Sequence, residues 1–203
     1  MKLPIEISKV IDGLETHEIQ DYHVSGDCVY NVSNKYILKV STNIERLEKE
    51  YKKDEWFSNV LPTPKPICFI VDKDCAYYLR SYLDGEILCL DKYLKDPQLL
   101  MKLLKEALDL FHSKSVVGCP YVVGDGNTLI HGDFCLPNIL VKDNKVVGFI
   151  DIGEAGIGDI WCDYAWCIWS LEFNLKTDKY TKDFLDLLEI EFNLEKFEIF
   201  TKD

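Results

Sequence analysis

Over residues 20–40, QDYHVSGDCVYNVSNKYILKV, apolar and polar residues alternate around two turn clusters, Ser-Gly-Asp and Ser-Asn-Lys, which predicts antiparallel strands joined by short turns. The next stretch, STNIERLEKEYKKDEWFSNV, starts on capping residues and carries Ile44, Leu47, Tyr51 and Trp56 at helical spacing. It predicts a mostly polar helix with a narrow buried stripe, ended by the prolines of LPTPKP. Two further strands follow in ICFIVDKDCAYYLRSYL, with Asp72 to Asp74 as their turn. From Asp96 the pattern changes: DPQLLMKLLKEALDLFHS has an Asp cap, Pro at the first helical position and leucines at helical spacing. VVGCPYVVGDGNT reads as loop, NILV and VVGFI as two strands about KDNK, and GDIWCDYAWCIWSLEF as a buried helix capped by Asp159. Two amphipathic helices, around 178–189 and 193–201, finish the chain. A sheet-rich part thus joins a helical part near Ser81 to Gly85, and the fold expected is α+β with two lobes, 1–82 and 83–203.

Composition narrows the function. Apolar content of 47% and charged content of 29% over 203 residues are values of a folded globular chain. A net charge of −12 argues against nucleic acid as partner, because phosphate recognition rests on clustered Lys and Arg. From residue 131 onward 15 acidic residues face seven lysines, a balance of −8, so a small cationic substrate would be drawn to that end. A solvated acidic surface explains the same charge equally well. The eight cysteines include no Cys-x-x-Cys pair, and the first 20 residues lack the apolar core of a signal peptide. A reduced, cytoplasmic protein is expected, without a membrane partner since no apolar run approaches spanning length, and a monomer is the expected state.

The chemistry concentrates in IHGDFCLPNILVKDNKVVGFIDIG, residues 130–153. Asn138 begins one hairpin strand and Asp151 follows the other, so the open end of the hairpin sets them side by side, with Asp133 in the preceding loop. Three oxygen-bearing side chains in one place suit a hard cation, and magnesium on nucleotide phosphates is the common case.

The order Asp, Asn five residues later, then Asp at the hairpin end is that of phosphoryl-transfer sites. Together with HGDFCLPNILV and GFIDIGEAGIGDIWCDYA, it resembles the eukaryotic-like kinase superfamily, and within it the aminoglycoside phosphotransferases of the 3′ type. Gly132, where protein kinases carry Arg, and the triplet Asp-Ile-Gly favour that branch. The resemblance implies a protein-kinase-like fold with a nucleotide-binding first lobe and a catalytic second lobe. It implies ATP and Mg²⁺ as cofactors, Asp133 as the catalytic residue that orients the acceptor hydroxyl, and Asn138 and Asp151 as metal ligands. It further implies Lys39 on the nucleotide phosphates, paired with Glu50 or, failing that, Glu48. Ser25 and Gly26 would contact phosphate oxygens, and backbone groups of Ser81 and Leu83 would hold adenine. His131 would order the catalytic loop, Asp163 would tie down its backbone, and Trp161, Trp166 and Trp169 read as core.

The resemblance thins on the acceptor side. Only VVGDGNTLI separates Tyr121 from His131, where the family inserts a helical subdomain. Glu154 stands where an arginine usually follows the Asp-x-Gly triplet, and the chain ends at Asp203, short of the family's acidic terminus. Glu154 and Asp203, with Glu195 and Glu198, are the candidates for rebuilding a cation site. Three readings follow: an ATP-dependent kinase of an aminoglycoside; a kinase of another hydroxyl compound such as a choline-like amine, a sugar or a macrolide; or a nucleotide-binding module without turnover. GTP as donor stays open.

Overall fold

A computed structural model of the chain describes residues 3–19 and 27–202. Ser25, Gly26 and Asp203, among the candidate site residues, lie outside that range. The chain divides into two compact units, Met1–Asp84 and Gly85–Asp203.

The first unit is a five-stranded antiparallel sheet with two helices. Helix α1 (Ile5–Val10) precedes β1 (Thr16–Glu18), β2 (Cys28–Val32), β3 (Tyr36–Ser41), helix α2 (Ile44–Phe57), β4 (Pro66–Asp72) and β5 (Cys75–Ser81), and the strands are ordered β1-β2-β3-β5-β4. Because side chains alternate along a strand, β5 serves both faces. Tyr77 and Leu79 join Val32, Leu38 and Val40 against Ile7 and Ile11, while Ala76 and Tyr78 pack on Leu47 of α2. In the β3–β5 register Lys39 lies opposite Tyr78, which puts the lysine on the α2 side of the sheet.

Helix α2 departs from the expected stripe. Asn43 caps it, its carboxamide oxygen accepting from Arg46 N–H at 3.1 Å. Ile44, Tyr51 and Trp56 are only half-buried, and the buried face is instead Leu47, Glu50, Lys53, Asp54 and Phe57. Apolar spacing misjudged this face because the sheet opposite supplies Lys39 and the buried Arg80, and opposite charges pair across the interface.

The second unit is mainly helical. Its elements are β6 (Glu86–Ile87), α3 (Asp91–Leu94), α4 (Pro97–His112), β7 (Thr128–Ile130), β8 (Ile139–Lys142), β9 (Lys145–Phe149), β10 (Gly156–Gly158), α5 (Ile160–Leu175), α6 (Thr181–Leu188) and α7 (Leu194–Thr201). Asp96 caps α4 by accepting from Leu99 N–H at 3.1 Å, and the leucine stripe of α4 is buried through to Phe111. Asp143 and Asn144, both at positive φ (52° and 57°), make the two-residue β8–β9 turn between Lys142 and Lys145, the backbone a tight hairpin demands.

The segment expected as loop before His131 is pinned rather than loose. Val123 N–H donates to the Ile157 carbonyl at 2.9 Å, Ile157 N–H to the Tyr121 carbonyl at 2.8 Å, and β7 pairs with β10. On α5 the tryptophans are not core. Trp161 and Trp166 are half-buried and Trp169 is exposed, while Asp163, Ala165, Cys167, Ile168 and Leu171 turn inward. All eight cysteines are free thiols, and among the described residues no helix is long and apolar enough to cross a membrane.

Candidate active site

The loop from Ile130 to Asn138 is fixed from below by two buried side chains. Asp163, fully buried on α5, accepts from three donors: His131 N–H at 2.9 Å, Gly132 N–H at 2.9 Å and His112 Nε2 at 2.8 Å. His131, also fully buried, sits among Phe111, Phe134 and Phe149. Its Nε2 donates to the Ile150 carbonyl at 3.0 Å while Nδ1 accepts Asp133 N–H at 3.3 Å. A carbonyl can only accept and an amide can only donate, so these partners assign the proton to Nε2. The imidazole therefore joins the Asp133 backbone to the segment just before Asp151.

Gly132 is required for two reasons. Its φ is +81°, and a Cβ there would stand 2.6 Å from the Glu154 carbonyl oxygen and 2.9 Å from the Glu154 Cβ. No side chain fits, so the arginine of protein kinases has no room here.

Asn138 closes the constellation. Its side-chain amide donates to both the carbonyl and the Oδ2 of Asp133, each at 3.0 Å, and its own carbonyl accepts Ile150 N–H at 3.0 Å. The next residue along from Ile150, Asp151, adopts the left-handed conformation (φ 59°, ψ 44°), a costly one for a residue with a Cβ. Asp133, Asn138 and Asp151 are thus brought together. With the Asn138 nitrogen engaged by Asp133, its Oδ1 is the atom left to ligate, so the set offers hard oxygen donors only. Among the described residues no three His, Cys, Asp or Glu side chains cluster into a ready-made metal cage. Such a donor set fits Mg²⁺, which takes few protein ligands and completes its shell with phosphate oxygens and water.

In the first unit Lys39 Nζ donates to both Glu50 oxygens, at 2.8 and 3.0 Å. Glu48 is half-buried and pairs with Lys52 at 2.7 Å, so Glu50 is the partner of Lys39. Three residues that sequence reasoning missed, Arg80, Asp54 and Tyr78, complete the cluster. Arg80 Nη1 donates to Glu50 Oε1 at 2.6 Å and lies 3.5 Å from Asp54 Oδ2, to which Tyr78 OH donates at 2.6 Å. Burial pushes the Asp54 carboxyl up to about 7, with the Arg80 charge opposing the rise, and burial likewise raises the Tyr78 phenol. Arg80 carried a legible signal: it is one of two arginines in the chain and stands inside an apolar strand. Ser81 is tied to Lys65, its N–H donating to the Lys65 carbonyl at 2.8 Å and its hydroxyl accepting Lys65 N–H at 2.9 Å. Leu83 follows β5 and is half-buried.

Beside Gly132 a pocket of about 470 Å³ opens, wholly within the second unit, with Asp125, Glu154, Asp159, Cys162 and Lys196 among its walls. Burial, helped by neighbouring aspartates, pushes the Cys162 thiol up to about 12, which leaves it protonated and a poor nucleophile. Of the acceptor-side candidates Glu154 lines this pocket, whereas Glu195 and Glu198 line a separate groove on α7.

Comparison with known proteins decides the family. A family model described as the phosphotransferase enzyme family matches residues 92–198, more than half of the chain and all of the loop and hairpin just described. The chain belongs to this phosphotransferase family. It is 27% identical to a probable aminoglycoside 3′-phosphotransferase of Lactococcus lactis subsp. lactis (strain IL1403), over 74% of each chain. It is 28% identical to an aminoglycoside 3′-phosphotransferase of Enterococcus faecalis, over 76% of each chain. Its fold matches that of the aminoglycoside phosphotransferase APH(3′′)-Id from Streptomyces rimosus ATCC10970, with a TM-score of 0.77, 16% identity and coverage of 96% of this chain and 93% of that one. The phosphotransferase thus has the kinase-like α+β architecture of its family.

Proposed function

We propose that this phosphotransferase moves the γ-phosphate of ATP to a hydroxyl group of a small cationic molecule, an aminoglycoside. The observation that carries the reading is the bond from Asn138 to Asp133, made in a loop that Asp163 and His131 hold rigid. It ties the Asp133 carboxylate to Asn138, whose backbone carbonyl accepts Ile150 N–H at 3.0 Å next to Asp151, and this supports reading Asn138 Oδ1 and Asp151 as oxygen ligands beside Asp133.

Asp133 orients the acceptor hydroxyl and takes up its proton late, because phosphoryl transfer depends on positioning and electrostatics more than on strong base catalysis. Asn138 and Asp151 would hold Mg²⁺, which when bound neutralises charge on the phosphates. On the first unit Lys39, steadied by Glu50, is the residue suited to a nucleotide phosphate. The pocket beside Gly132 takes the acceptor, with Glu154 toward its ammonium groups. The names of the relatives in Lactococcus lactis and Enterococcus faecalis support this substrate class. So does the Streptomyces rimosus enzyme of the same fold, whose structure is known in complex with ADP and streptomycin.

Replacing Asp133 by Asn removes the proton acceptor while keeping the shape of the side chain. Acceptor-dependent ADP release should fall by a factor of roughly 100 or more, with thermal stability close to that of the parent. Full activity in the variant would refute the assignment.

A further inference from the structure

The pocket beside Gly132 contains one basic side chain, Lys196, among its lining residues. Its ammonium pairs with Asp159 Oδ2, while Asp159 Oδ1 accepts Trp161 N–H at 3.0 Å and caps α5. Both oxygens of this carboxylate are therefore engaged from within the chain. The placement of the lysine is not explained by its own helix. Lys196 stands in the first turn of α7, where its N–H is capped by Asn193 Oδ1 at 3.0 Å, and a cation there opposes the helix dipole. What it gains is the ion pair with Asp159, another residue lining the pocket. Its side chain keeps 38% exposure, so it meets whatever enters.

An acceptor that brings an ammonium group to this wall meets a like charge and a carboxylate already engaged. A neutral hydroxyl-bearing group meets neither obstacle, and can pack on Ile199 and Phe200 next to it. We propose that Lys196 is a specificity-determining residue of this pocket, which disfavours acceptors carrying an ammonium group against Asp159 and favours those neutral at that point. The inference rests on reading the pocket as the acceptor site and narrows the substrate class. It describes a hydroxyl compound whose cationic groups cluster toward Asp125 and Glu154 rather than around its whole perimeter.

The test compares the full chain with Lys196→Met and Lys196→Arg, using kanamycin A and its fully N-acetylated derivative as probes. Binding is measured by calorimetry at low and high salt, and phosphorylated product by mass spectrometry. Lys196→Met should bind kanamycin A roughly two- to fivefold more tightly than the parent, the range of one exposed ion pair, with the gain shrinking at high salt. The acetylated probe should bind both proteins alike, and Lys196→Arg should behave as the parent. Equal or weaker binding of kanamycin A by Lys196→Met, or the same change for both probes, overturns the proposal. Binding of neither probe to any variant overturns it together with the acceptor reading of the pocket. The expected binding differences without phosphorylated product would uphold the role of Lys196 and remove the transfer reading alone.

Discussion

Asp163 is the keystone of the candidate site, and Asp163→Ala tests it. The carboxylate is fully buried and accepts from His131 N–H, Gly132 N–H and His112 Nε2. Truncation strands two backbone donors where the interior cannot supply another acceptor. Each buried orphan costs about 1–3 kcal/mol, so the pair amounts to about 2–6 kcal/mol before any loss from the His112 contact. For a chain of this size about 1 kcal/mol corresponds to roughly 2–4 °C, so a melting temperature lower by about 8–16 °C is expected at the middle of that range. Circular dichroism would follow unfolding, and amide exchange at His131 and Gly132 would report the loop itself. Those two amides should lose protection by more than the helix α4 amides do. Acceptor-dependent ADP release should fall even at temperatures where the variant is fully folded. A drop of less than about 2 °C, the low end of what even 1 kcal/mol would give, with unchanged protection at both amides, would show that Asp163 does not hold the loop.

Two further predictions follow from the same geometry. Asp54, raised to about 7 by burial, keeps its proton in the folded chain at pH values where the unfolded chain has lost it, since free carboxyls titrate near 4. The folded state therefore binds more protons between about pH 4 and 7, and stability falls as pH rises through that window. Asp54→Asn, neutral throughout, should gain stability relative to the parent between pH 5 and pH 8 in urea titrations; a difference independent of pH, or a relative loss, would contradict the assignment. Gly132→Ala places a Cβ 2.6 Å from the Glu154 carbonyl at φ +81°, so it should cost about 2–4 kcal/mol and most activity, whereas Gly124→Ala meets nothing within 4 Å and should be close to neutral. Matched melts of the two variants decide the point, and equal stability would contradict the crowding at Gly132.

What could be read from the chain follows from how each element is held. The β8–β9 hairpin and α4 were legible because local pattern alone specifies them: Asp143-Asn144 supplies the turn, and the leucines of α4 repeat at helical spacing. The short strands β1, β6, β7 and β10 have two or three residues each, too few to show any period, and exist because partners distant in sequence pair with them. The buried face of α2 was misread for a related reason. Asp54 looks like a solvent residue until Arg80 of β5 is folded beside it. His112 closes α4, and nothing nearby in sequence points to its partner Asp163, 51 residues on. The tryptophans of α5 show the converse, with Asp163 and Cys167 inside and Trp169 exposed. In each miss a long-range electrostatic or packing partner outweighed a local preference.

Transfer of phosphate to an aminoglycoside hydroxyl is tested most directly by mass spectrometry. The full chain is incubated with ATP, Mg²⁺ and a panel of aminoglycosides, with Asp133→Asn in parallel. A mass gain of about 80 Da, one phosphate in place of a hydroxyl hydrogen, is expected on at least one panel member, matched by ADP and lost in the variant. No phosphorylated product from any panel member, or product formed equally by Asp133→Asn, would contradict it.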